Sequence, residues 1–84
     1  MSTVQLMREG LDALRGAGCE IREEWLDGSG GGCCQLRGKS IYFVDLAIAP
    51  EDQLAVLLRT LRDEPLVEIE TLSPELREAI ERNP

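Results

Sequence analysis

The sequence predicts an α+β fold: a three-stranded antiparallel meander packed against two helices, with a short C-terminal helix. Three observations carry this. Apolar residues recur at helical spacing in two stretches, 3–17 and from Pro50 to Pro65. Between these stretches lie short segments in which side chains alternate with a period of two. Two of those segments are joined by Gly38-Lys39, with the first-position glycine that a two-residue type II′ hairpin turn demands.

The first helix places Val4, Met7, Leu11 and Leu14 on one face. Ser2 or Thr3 caps its start, and Gly16 and Gly18 end it. Leu6, Gly10, Ala13 and Ala17 form a neighbouring stripe of mostly small residues that lets another backbone approach. Residues 19–26 read as a strand in which Cys19, Ile21, Glu23 and Trp25 alternate with Glu20, Arg22 and Glu24. A loop follows, Asp27-Gly28-Ser29-Gly30-Gly31-Gly32, whose glycines make it the most mobile stretch expected.

Cys33–Arg37 and Ser40–Asp45 are the hairpin strands. With Gly38-Lys39 as the turn, Arg37 faces Ser40, Leu36 faces Ile41, Gln35 faces Tyr42, Cys34 faces Phe43 and Cys33 faces Val44. One face then carries Cys34, Leu36, Ile41 and Phe43; it is wholly apolar and is expected to be the core. The other carries Cys33, Gln35, Arg37, Tyr42 and Val44 and is expected to be wet or an interface.

The second helix opens at Pro50, with Glu51 and Asp52 at the positive end of its dipole. Leu54, Leu57, Leu58 and Leu61 form its inner stripe, and Pro65 stops it. Residues 66–70 alternate Val67 and Ile69 with Glu68 and Glu70 and are read as extended, adding a fourth, parallel strand if they pair. Ser73 and Pro74 start the last helix, with Leu76, Ala79 and Ile80 inside.

All of this fits one domain, residues 1–84. A chain of this size buries only roughly 60–65% of its unfolded surface, so pairing with a second copy would help it. There is no apolar run near the roughly 20 residues of a membrane span, and the N-terminus lacks a secretory pattern. A cytoplasmic location is expected. Net charge is −7, and residues 63–84 hold seven acids against two bases. Without a basic stripe, nucleic acid is not an expected partner.

The cysteines are Cys19, Cys33 and Cys34, and there is no histidine. An odd count opposes a disulfide framework. The absent imidazole removes every mechanism that needs one from this chain. Three cysteines without a Cys-x-x-Cys pair argue against an intrachain zinc site and leave an intermolecular one open. No cofactor and no catalytic residue is expected. The glycine loop is followed by a strand rather than a helix, which is the wrong context for phosphate. The carboxylate pairs Glu23/Glu24, Glu51/Asp52 and Glu68/Glu70 fall on exposed faces or in a first helical turn. Asp45, the acid that ends an apolar run, is suited to capping the next loop.

The stretch Gly31-Gly32-Cys33-Cys34-Gln35-Leu36-Arg37-Gly38-Lys39, with Tyr42-Phe43-Val44-Asp45 and then Glu51-Asp52-Gln53-Leu54, resembles a group of small uncharacterised bacterial proteins. Their pattern is roughly Gly-Gly-x-Cys-x-Leu-x-Gly-Lys, a hydrophobic strand, and a helix opening with acids and Gln-Leu. Cys34 matches the pattern's cysteine. The resemblance implies a bacterial cytoplasmic domain and carries no activity.

The expected function is a small non-catalytic interaction or regulatory module of unknown protein partner, self-associating as a homodimer. Its surface is read as Cys33, Gln35, Arg37, Tyr42 and Val44, with Trp25 nearby. The competing arrangement has Leu76 and Ile80 cover Tyr42 and Val44. The alternative function is a thiol-dependent redox or metal-binding protein centred on Cys33.

Overall fold

A computed structural model describes all 84 residues. Helix α1 spans Thr3–Gly16, followed by strands β1 (Glu20–Glu24), β2 (Gly32–Leu36) and β3 (Lys39–Asp45). Helix α2 (Pro50–Asp63), a 3-10 turn (Ile69–Thr71) and helix α3 (Pro74–Arg82) complete the chain. The helices start as their caps dictate. Ser2 and Gln5 form a reciprocal capping box on α1, and the Ser73 hydroxyl accepts the Leu76 N–H of α3. No helix is long and apolar enough to cross a membrane.

The sheet is mixed and its order is β1-β3-β2, not the expected antiparallel meander. β3 is central. β1 runs parallel to it, with Ile21 opposite Tyr42 and Glu24 opposite Asp45. β2 runs antiparallel, with Cys33 opposite Tyr42 and Cys34 opposite Ile41. The expectation rested on strands consecutive in sequence pairing in space. Here residues 25–31 instead arch over the end of β3 and deliver β2 to its far side.

Asp45 holds that arch. Its carboxylate is buried and accepts N–H bonds from Leu26 (3.1 Å), Gly30 (2.9 Å) and Ala47 (2.9 Å). Burial alone would raise its pKa. The N–H groups of Gly30, Ala47, Leu26 and Gly28 outweigh that effect and hold the carboxyl below its ordinary value. Gly31 makes the crossing possible. At φ 73°, an added Cβ there would lie 2.2 Å from the Phe43 carbonyl oxygen.

The hairpin turn is Arg37-Gly38 rather than Gly38-Lys39. Both residues have positive φ, 53° and 81°, which is the type I′ geometry. The register moves by two residues, so Leu36 faces Lys39 and Gln35 faces Ser40. A shift of two preserves which residues share a face. What inverts is the direction of the faces. Tyr42 (1% exposed) and Val44 (5%) lie in one core with Leu14, Leu57, Leu61, Leu76 and Ile80. Cys34 and Leu36 (53% exposed) are on the outer face. The physical reason is β1. Its parallel register aligns apolar Ile21 with Tyr42 and charged Arg22 with Phe43, so the β1 charges require the Ile41/Phe43 face to point outward. Ile41 itself is buried there, between Glu20 and Cys34 in register.

Residues 66–70 do not form the fourth strand. Val67 and Leu72 are buried beside the C-terminal end of α1, where Ala13 and Ala17 line the same groove. Docked there, Val67 and Leu72 take their apolar side chains out of water against α1. At Gly10 the small stripe of α1 admits side chains rather than a second backbone: the glycine is buried, and an added Cβ would lie 2.7 Å from a Leu57 methyl.

Four substitutions test this account of stability. Gly31→Ala combines a disfavoured φ with a backbone clash and should cost about 3 kcal/mol. Gly16→Ala, in open helical space, should be neutral or stabilising by up to about 1 kcal/mol; denaturant titration reads both. Arg37→Asn relieves a left-handed non-glycine residue and should raise stability by about 0.5–1 kcal/mol, whereas under the Gly38-Lys39 turn it would not. Asp45→Asn should lower the melting temperature more than Glu51→Gln does. Because the Asp45 pKa is lower in the folded state, the wild-type advantage over Asp45→Asn should hold from neutral pH to about pH 5. It should shrink below about pH 4, where the unfolded chain takes up a proton that the folded Asp45 still resists, and be lost once the folded carboxylate is protonated too.

Candidate functional site

The inverted sheet decides what each candidate residue can do. Of the expected surface, Tyr42 and Val44 are buried under the helices, while Cys33, Gln35, Arg37 and Trp25 are exposed. Gln35 donates from Nε2 to the Ser40 hydroxyl, and Arg37 lies in the hairpin turn with its side chain exposed. Trp25, 74% exposed, follows β1 at the Asp45 end of the sheet, whereas Leu36 lies at the hairpin end. The large exposed apolar side chains are therefore scattered, and singly exposed ones need no partner to explain them.

Tyr42 sits at the centre of the inner face. Burial raises its hydroxyl pKa far above the ordinary value, so it is neutral at any physiological pH. The glycine loop is also occupied. The N–H groups that would cradle an external anion are turned onto the chain's own Asp45. The carboxylate pairs named above are all exposed.

What the fold does bring together is Cys19, Cys33 and Glu64. The two thiol sulfurs and a carboxylate oxygen lie within 4.8 Å of one another. Three local causes put them there. Cys19 ends the turn after α1, one residue ahead of β1, and points inward into the core. Cys33 is opposite Tyr42 and so shares the inward face, from the other side of β3. Glu64 precedes Pro65, which excludes the helical conformation for it; it leaves α2 extended, at φ −84° and ψ 111°. Its Oε1 accepts the Leu66 N–H at 3.1 Å, which orients the carboxylate.

The environment is graded. Cys19 is buried, Glu64 half-buried and Cys33 exposed. Burial raises the Cys19 pKa, and Cys33 and Glu64 add to the effect, so Cys19 is a protonated thiol at rest. An open cleft of about 300 Å³ borders Cys33 and is lined by Arg59, Thr60, Asp63 and Glu64. Arg59 is its cation. Cys34, one residue on, faces the opposite side of the sheet and takes no part.

Sequence reasoning singled out Cys33 and missed both partners. Cys19 and Glu64 are 14 and 31 positions away. The available signals were the inward alternation of Cys19 with Ile21 and the break imposed by Pro65. Neither says which strand stands between them. Comparison with protein-family models, with curated proteins and with solved structures finds no match for this chain.

Proposed function

We propose that this protein is a small non-catalytic regulatory module that works through a thiol centre at Cys33, paired with Cys19. The observation that carries the reading is the approach of both sulfurs and the Glu64 carboxylate to within 4.8 Å of one another, at the mouth of an open cleft. A reagent or ligand entering the cleft meets Cys33 first. Whatever binds there also meets the last turn of α2 and the residue that leaves it, so occupancy is transmitted to the packing of α2 on the sheet. The lack of histidine in the chain supports a binding role over an acid–base one.

The adjacent cysteines supply an internal control, because Cys33 and Cys34 are both exposed yet face opposite sides of the sheet. In a Cys34→Ser background, carboxymethylation of Cys33 introduces a negative charge beside Glu64 and Asp63. It should lower the melting temperature by about 5 °C or more. The same adduct on Cys34 in a Cys33→Ser background should leave it unchanged. Mass spectrometry verifies the site, and equal shifts for the two adducts would remove the reading's support.

A further inference from the structure

We propose that the ligand of this thiol centre is a borderline-soft divalent cation of the Zn²⁺ class, held within one chain by Cys19, Cys33 and Glu64. The inference rests on the thiol-centre reading and narrows its chemistry.

Geometry first separates a metal from a disulfide. Cys19 and Cys33 stand on opposite sides of β3, since Glu20 and Cys34 both pair with Ile41. Cys33 faces Tyr42 while Cys19 precedes the Glu20–Ile41 pair, so the two are also offset along β3, and two strand spacings, about 9 Å, are the least distance between their backbones. Disulfides need Cα atoms within about 7 Å, so oxidation would have to pull two strands of the sheet together across the third. A metal ion spans the gap without moving the backbone. Around a tetrahedral Zn²⁺ with Zn–S near 2.3 Å and Zn–O near 2.1 Å, ligand atoms stand about 3.5–3.8 Å from each other. The three groups already lie within 4.8 Å, so rotamer adjustment of about 1 Å completes the cage.

The donor set selects the ion. Two thiolates with one carboxylate favour Zn²⁺ over Mg²⁺ or Ca²⁺, which take all-oxygen sites. Binding takes up the metal and releases the thiol protons of Cys19 and Cys33 to solvent, with no change in oxidation state. The assembled site carries two thiolate charges and one carboxylate charge against the ion's two positive charges. Arg59, in the same cleft, compensates the remaining negative charge. The Leu66 N–H on Glu64 supplies the orienting contact that such ligands use. The fourth position opens on the cleft, where water or Asp63 can complete the tetrahedron.

The test uses the full chain, purified under reducing conditions and stripped with a chelator. It is titrated with Zn²⁺ against a chromogenic indicator, and with Co²⁺ for absorption. The expected result is one ion per chain, with a thiolate-to-cobalt charge-transfer band and tetrahedral visible bands. Cys33→Ser should weaken Zn²⁺ binding by on the order of 100-fold and Glu64→Gln by about 10-fold or more, with Cys34→Ser unchanged. Both altered residues are near the surface, and circular dichroism confirms that the variants fold. Unaltered affinity in Cys33→Ser and Glu64→Gln would overturn the site. Half an ion per chain in a sedimenting dimer would overturn the intrachain arrangement. If Zn²⁺ fails to bind while the Cys33 adduct still shifts the melting temperature, the metal inference fails and the thiol-centre reading stands. If the adduct is also silent, both fail.

Discussion

The structure depends on one buried carboxylate. Asp45 ends the central strand at the point where the chain must cross from one edge of the sheet to the other. An ionised group there is tolerable only because backbone N–H groups converge on it. Two of them, from Leu26 and Gly30, come from the crossing loop, so the loop folds around the acid as it would around an external anion. Without that anchor, residues 25–31 would be a flexible glycine tether and a plain meander would be open to the chain. With it, β3 is locked between β1 and β2, and the remaining features follow.

The first consequence is the direction of the sheet. β1 has one charged and one largely apolar face, and parallel pairing with β3 aligns those faces with the corresponding faces of the hairpin. The charges of Glu20 and Arg22 cannot enter the core, so Tyr42 and Val44 must. Helix α2 then packs over this inner face. It is drawn close to α1 at Gly10, where Leu57 and Leu61 fill the space that a side chain would need. The second consequence is the thiol centre. A residue one step before β1 and a residue in β2 can approach only across an intervening strand, beneath the end of α2. Pro65 turns Glu64 out of the helix at that height.

Much of the fold was legible along the chain because helix signals are local. Ser2, Ser73, Pro50 and Pro74 begin helices at their expected positions, since capping and first-turn preferences act within three or four residues. The inner stripes of α2 and α3 were also legible from their 3.6-residue period. The hairpin was legible as a hairpin and as a division into two faces, because alternation survives a register shift of two. Its turn was misread by one position. Arg37 takes a left-handed conformation that its side chain does not favour, and Gly38 serves the second turn position rather than the first.

What the sequence by itself determined was the three helices and three strands, the partition of β2 and β3 side chains between two faces, and the inner faces of α2 and α3; on α1 the expected face holds only in part, since Val4 is exposed. Strand order, the inward direction of the Tyr42 face and the fate of residues 66–70 were decided only in three dimensions. So was the pairing of Cys33 with Cys19 and Glu64. The physical reason is common to all four. Each depends on a long-range partner: Asp45 for the loop, Ile21 opposite Tyr42 for the face, the end of α1 for Val67, and the intervening β3 for the thiols. Periodicity reports how a segment distributes its own side chains, whereas contacts distant in sequence decide which side of the molecule receives them.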